Sequence, residues 1–424
     1  MDQDGASLER PQYWDRYIQL AGKADGHPSG HIAELCERGY LARPPRAVLE
    51  LDDATVATIY SELARTRWAN GKIPSPKAGE TDSSWMVRSD FCFVNVRACG
   101  LDRDRPGSFI DGMRLLLALP ADAIHLAPFF ECVFGNVYAI NSLAHINPEC
   151  VRQDWLSEGL DALSQLRLFV DAAHILGKTV GFDLEPHTAQ FSRVVLDTPE
   201  HFRWLALDDE RDRLRGGLTQ DEMLEPAVQQ GIVDEVRGIV REHCLAAGIR
   251  FLEDSANDTV ASRRVQDGIV QDLIGRGLWT LPCHTWGGAG LPGYTGYDHE
   301  GNYPLFEYLD AEGEDQSMHA FGMLTPFVTA RGLYVNTAPD RDNPSRPWQP
   351  GLDALAGIFP RILGLADFDF LRLDYVDHVF DSVLEGTDDI PLSDRLTPAG
   401  IRHVINAARA VAPRTGVMAE RMGY

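Results

Sequence analysis

No apolar run in this sequence approaches the roughly 20 residues needed to cross a bilayer. The first residues, "MDQDGASLERPQYWDRY", are polar and acidic and lack the apolar core of a secretory leader. Positive charge is scarce: 39 Lys and Arg stand against 63 Asp and Glu, a net charge of -24 at pH 7. A field of that sign repels phosphate backbones and anionic headgroups, so no nucleic acid and no membrane partner is expected. Cysteine is sparse. Cys36, Cys92, Cys99, Cys132, Cys150, Cys244 and Cys283 are odd in number, scattered and without a C-x-x-C pair, the pattern of reduced core thiols. Tandem repeats and low-complexity tracts are missing too. These absences lead to the expectation of a soluble, cytoplasmic, globular protein. Its 424 residues, 44% of them hydrophobic, suffice for two or three domains with a real core.

Residues 1–89 mix short helical stretches such as "DDATVATIYSELARTRWANG" with polar connectors and carry no chemical motif. From 91 the pattern changes. "FCFVNVRACG" reads as a strand, "SFIDGMRLLLALP" as a helix closed by proline, and "DAIHLAPFF" as another strand, an alternation that argues parallel β-α units. "LSEGLDALSQLRLFVDAAHILGK" places Leu160, Leu163, Leu166, Val170 and Ala173 on one helical face, with Gly177 as its stop. "TVGFDLEPH" then reads as a buried strand ending in polar residues. The alternation lapses from 188 to 351, which holds a helix, "GIVDEVRGIVREHCLAAG", a strand-like "IRFLED", a Gly/Tyr-rich loop and a Pro-rich connector, "TAPDRDNPSRPWQPG". An inserted domain is expected there. It separates a first part of a barrel, 90–187, from a second part, 352–424, in which helices lead into "FLRLDYVDHVFD" and "TGVMAERMGY".

Parallel strands covered by helices are buried on both faces and read as continuous apolar runs, and their C-terminal ends carry the functional side chains of such folds. Four strand ends here are polar: Tyr138 after "HLAPFF", Asp183 with His187, Arg372 with Asp374 and His378, and Glu420. Arg372 and Asp374 are two residues apart, so on a strand both point to one side, where the guanidinium lowers the carboxyl's pKa. The plainer reading of such a pair is an ion pair without chemistry. Trp286, Tyr294, Tyr297 and Tyr303 offer stacking faces for sugar rings, or else form the inserted domain's own core.

The order and spacing of these strand ends resemble the α-amylase superfamily, glycoside hydrolase family 13 and its relatives. "DAIHLAPFFECVFGNVYAINSLAHINPE" resembles its second barrel strand and following loop, "VGFDLEPHT" its first conserved region, "FLRLDYVDH" its second and "GVMAER" its third. The resemblance implies a (β/α)8 barrel of TIM type, here incomplete, with about five of the eight strands (91–97, 122–127, 179–184, 369–374, 416–420) and a domain inserted after the third. It implies retaining double displacement on α-glucosides or α-glucans, with Asp374 as nucleophile and Glu420 as general acid/base. Tyr138, Asp183, His187, Arg372 and His378 would bind the sugar.

The sequence departs from that pattern in places. Asp183 and His187 are one residue closer than is usual, and Asp377 stands where Lys is common. Pro186 occupies a position that often holds a calcium-binding Asn, so no cofactor is expected and calcium is not expected at that position. The fourth region, a His-Asp pair, is missing. The expectation is therefore a truncated chain with part of its apolar sheet face uncovered, poorly soluble and of little activity. Two other readings stay open: an inactive relative that at most binds glycan, and a metal-dependent hydrolase with Asp183, Glu185, His187, Asp374 and His378 as ligands. The sequence decides neither hydrolase against transglycosylase nor the sugar, and leaves the oligomeric state unknown.

Overall fold

The computed structural model describes residues 10–68, 72–101, 106–132, 137, 140–184, 191–202, 204–208, 214–218, 220–223, 225–253, 259–280, 349–373 and 397–419. Four helices come first: α1 (Gln12–Ala21), α2 (Ser29–Arg38), α3 (Pro45–Leu49) and α4 (Asp53–Ala64). A β-α succession follows: β1 (Phe91–Val94), α5 (Phe109–Leu116), β2 (Ala123–Leu126), α6 (Gln153–Leu156), α7 (Ala162–Ile175) and β3 (Thr179–Leu184). Next are α8 (Arg193–Asp197), β4 (Trp204–Ala206), α9 (Gln220–Met223), α10 (Pro226–Ala246), α11 (Thr259–Gly275) and β5 (Leu278–Thr280). The chain then returns through α12 (Gln349–Ala366), β6 (Phe370–Leu373), α13 (Thr397–Val411) and β7 (Gly416–Ala419).

Strands β1, β2, β3, β6 and β7 form one sheet in that order, and every pairing is parallel. All five lie within the stretches expected to be strands. β1 is shorter than its apolar run because Asn95 turns the chain into a 3-10 helix, accepting a hydrogen bond from the backbone of Arg97 at 3.1 Å.

The sheet curves strongly. Neighbouring strands lie about 4.8 Å apart, so three steps from β1 to β6 would span about 14 Å in a flat sheet. Yet the rings of Phe91 and Phe370 meet edge-to-face with centroids 5.3 Å apart. Their side chains converge on an interior, as the wall of a barrel requires. Glycines make room for them. A Cβ on Gly181 would overlap the Phe370 ring, and one on Gly416 would overlap Met86. Trp85, Ala123 and Phe370, with Met86 and Met418 beside them, fill the N-terminal end of this interior. Trp85 Nε1 donates to the carbonyl of Arg414 at 2.9 Å. At the edge, β1 leaves Phe91 37% and Phe93 52% exposed, so the apolar inner face is partly uncovered there.

The outward residues Val94, Ile124, Leu126, Val180, Phe182, Leu184, Leu371 and Leu373 join the helices in the main core. Trp14, Tyr17, Val56, Ile59 and Tyr60 belong to the same core, so residues of α1 and α4 form a second helical layer over the barrel helices. That layer explains one departure from the sequence pattern. α7 was expected to bury one face, but Leu166 and every residue from Leu168 to Ile175 are buried, because α5, α1 and α4 pack against it as well. Gly177 ends it as expected, with φ of 77°.

Buried polar contacts fasten the two layers. Tyr13 Oη and Trp14 Nε1 both donate to Asp171 Oδ2, at 2.7 and 2.8 Å. Asp369, wholly buried at the start of β6, accepts from Ser75 Oγ and from the backbone of Val180 at 2.9 Å, and lies 3.0 Å from His174 Nε2.

Residues from α8, α10, α11, β4 and β5 gather into a second core around Trp204, Val236 and Leu273, with β4 and β5 paired antiparallel. "IRFLED" is a correction: its described residues, 249–253, form no strand. The backbone donors of Leu252 and Glu253 go instead to the carboxylate of Asp197, each at 2.9 Å, which takes both out of any ladder. Six described cysteines are free, and only Cys99, Cys150 and Cys244 are core thiols. Cys36 is exposed because α2 buries Leu35 alone. Among the described residues, no helix is long and apolar enough to cross a membrane.

Candidate active site

Side chains alternate along a strand, so the residues that share the curved interior follow from register. Gly181 pairs with Phe370, Asp183 with Arg372, and Arg372 with Met418. Above the aromatic floor of Phe370 and Trp85, the interior therefore turns polar near the C-terminal strand ends. Arg372 Nη1 donates to both oxygens of Asp183, each at 2.7 Å. His125, on the same face of β2, brings Nε2 to 3.4 Å from Asp183 Oδ2, and its ring meets Phe93 edge-on at 5.1 Å.

The Asp183 side chain is 1% exposed, against 12% for His125 and 18% for Arg372. A carboxylate so deeply buried needs compensation for its lost hydration, and the guanidinium supplies it. The result is a carboxylate held rigidly at the end of β3 beside a cationic side chain at the end of β6.

Of the residues expected from the sequence, the structure thus brings Asp183 and Arg372 together. Tyr138, His187, Asp374, His378 and Glu420 lie outside the described residues, as do Glu185, Pro186, Asp377 and the aromatics Trp286, Tyr294, Tyr297 and Tyr303. His125 was missed, although the signal was present: a titratable residue inside the apolar run "AIHLA", at the parity of the interior. Also missed was a buried cluster around Glu131 and Arg193, in the segments that follow β2 and β3.

Among the described residues, no three His, Cys, Asp or Glu side chains come together as a metal ligand set. A cavity of about 520 Å³ lined by Thr81, Asp82, Ser83, Ser84, Arg409 and Pro413 opens at the opposite, N-terminal end of the strands. It holds none of the strand-end polar residues, so it is set aside as the reaction site in favour of the Asp183 end.

No family model matches the chain, and no curated protein matches it. Solved structures do. Trehalose-6-phosphate hydrolase from Bacillus licheniformis aligns with TM-score 0.40 and 10% identity over 80% of this chain and 45% of its own. An α-amylase from H. orenii aligns with TM-score 0.38 and 13% identity over 79% and 48%. A debranching enzyme from Nostoc punctiforme aligns with TM-score 0.34 and 12% identity over 81% and 49%. The chain spans about half the length of each of these structures. At such scores the likeness is one of chain path and assigns no residue a role.

Proposed function

We propose that the strand ends form the active site of an α-glycoside hydrolase or transglycosylase acting by retaining double displacement. The observation that carries this reading is one of register. Leu373 of β6 and Ala419 of β7 are ladder partners, and so are Arg372 and Met418 before them on the inner face. The next residues in the sequence are Asp374 and Glu420, each two positions beyond an inward-facing residue. Adjacent parallel strands have backbones about 4.8 Å apart, a spacing from which two side-chain carboxyls can reach the roughly 5–5.5 Å separation of retaining glycosidases.

In this reading Asp374 attacks the anomeric carbon while Glu420 protonates the leaving oxygen, and Glu420 then deprotonates the incoming hydroxyl. Water as acceptor gives hydrolysis, and a second sugar gives transglycosylation. Arg372, at the same parity as Asp374, favours the ionised nucleophile, and its clamp on Asp183 fixes where that positive charge sits. Tyr138, Asp183, His187 and His378 bind the sugar.

The test is turnover of a maltooligosaccharide panel by the full chain, with product anomers followed by NMR. The expected result is retention of configuration, with a loss of about 1,000-fold or more in kcat for Asp374→Asn, as for removal of a covalent nucleophile. Inverted products, or near-normal turnover by a folded Asp374→Asn variant, would refute the reading.

A further inference from the structure

The segments that follow β2 and β3 are joined through a buried ion pair that neither packing nor secondary structure demands. Glu131 lies five residues beyond Leu126, and its side chain is 1% exposed. Arg193 opens α8, nine residues beyond Leu184, and its side chain is wholly buried. Arg193 Nη1 lies 3.3 Å from Glu131 Oε2, and Nη2 donates to Oε1 at 3.3 Å. Arg263 of α11 and Asn141 Nδ2 also donate to Oε1, both at 3.3 Å.

The backbone tightens the same junction. Glu131 donates to the carbonyl of His145 at 2.9 Å and accepts from Asn141 N at 2.8 Å, which closes the base of the 131–145 loop. The carbonyl of Asn141 in turn accepts from Arg193 N at 2.9 Å. Gln266 completes the bolt, donating from Nε2 to Asn141 Oδ1 at 2.7 Å. Tyr138 lies in sequence inside the first segment, and His187 inside the second.

Stability alone gives no reason for this arrangement. Desolvating two charges offsets most of their attraction, so apolar residues of similar volume hold a fold as well or better. What a fully buried ion pair, hydrogen-bonded through Nη2 and Oε1 and shared with Arg263 and Asn141, supplies is a single geometry. We propose that Glu131 and Arg193 are positioning residues. They fix the segment after β2 against the segment after β3, and so set the placement of sugar-binding groups at the strand ends. The second half of that statement rests on the function proposed above.

The test replaces the pair by apolar residues, Glu131→Leu with Arg193→Met. Asn141 keeps Gln266 as partner, and Arg263, half exposed, turns to water. Thermal unfolding, amide hydrogen exchange and kcat/KM on a maltooligosaccharide are compared with wild type. The expected result is an unchanged or higher Tm, exchange at Asn141 and Arg193 faster by at least tenfold, and kcat/KM lower by at least tenfold. A purely structural role predicts that exchange and activity recover along with Tm, which would overturn the proposal.

If the double variant does not fold, Glu131→Gln is measured in the same way. It keeps the Oε1 acceptor but removes the charge and sets an amide NH2 against the Arg193 guanidinium, and unchanged exchange there is likewise decisive against the proposal. If the wild-type chain turns over no glucoside, the proposed function fails while the exchange arm still decides whether the pair fixes the two segments.

Discussion

Replacing Gly181 by alanine tests the curvature that creates the site. The backbone at 181 has no left-handed φ, so alanine meets no conformational barrier there. The obstacle is the Phe370 ring, whose Cδ2, Cγ and Cε2 atoms a new Cβ would overlap. That ring cannot step aside cheaply. Phe370 is 0% exposed, and its ring is boxed by Phe91 at 5.3 Å, Trp85 at 6.2 Å and His125 at 6.4 Å. Overpacking a filled core costs about 1–3 kcal/mol, and three overlapped ring atoms place this case at the upper end. The loss of chain freedom in the unfolded state returns about 0.4–1 kcal/mol. Gly181→Ala should therefore lower stability by about 2 kcal/mol, read as a fall in the urea midpoint at unchanged slope. Phe370→Leu in the same chain should recover part of that loss, so that the two substitutions cost less together than their sum. A Gly181→Ala midpoint at or above wild type would show that Phe370 does not cross over β3, and the convergent interior would fall with it.

Two further predictions concern buried acids. Burial raises the Asp171 pKa to about 6, against the lowering effect of the Trp14 and Tyr13 hydrogen bonds. Because the folded value lies above the unfolded one, the protonated form's contribution is complete below about pH 4 and is lost as pH rises to about 6. It amounts to roughly 2–3 kcal/mol at about 1.4 kcal/mol per pH unit. Asp171→Asn should flatten stability across that window, and an unchanged pH profile by urea titration would contradict it.

Burial acts against both charges of the His174–Asp369 pair, but mutual attraction and hydrogen bonding overcome it, raising the His174 pKa and lowering that of Asp369. The His174 contribution is present below the ordinary histidine range and is lost as pH climbs through its raised value. The Asp369 contribution is present above the ordinary carboxylate range and is lost as pH falls through its lowered one. Asp369→Asn, which strands a buried imidazolium, should cost about 3–5 kcal/mol near pH 6. A cost below about 1 kcal/mol by chemical denaturation would mean that the pair does not tie α7 to β6.

The parallel strands were legible because burial on both faces writes them as apolar runs, and the polar residues that close those runs drew attention to Asp183 and Arg372. What stayed hidden depends on partners far away in sequence. β4 and β5 are three residues each, too short to show a period, and each becomes a strand only against the other. The burial of α7 on nearly every side comes from α1 and α4, whose own patterns say only that they are amphipathic. His125 and Glu131 look like isolated polar residues until curvature places one beside Asp183 and a second segment brings Arg193 to the other. The misread "IRFLED" has the same origin, a competing acceptor in Asp197 that no local propensity encodes.

The ladder between β3 and β6 also bears on how the chain assembles. Asp183 and Arg372 touch although they stand 189 residues apart. Bringing the ends of so long a tether together carries an entropic cost that grows with the logarithm of its length, and contacts of this kind slow folding. The segment between them has a hydrophobic core of its own around Trp204 and Val236. Collapse of that core shortens the effective tether before the two strands meet. The β1-β2-β3 half, whose neighbours are close in sequence, should then form early and act as the template on which β6 docks last, so that the clamp on Asp183 is among the final contacts made.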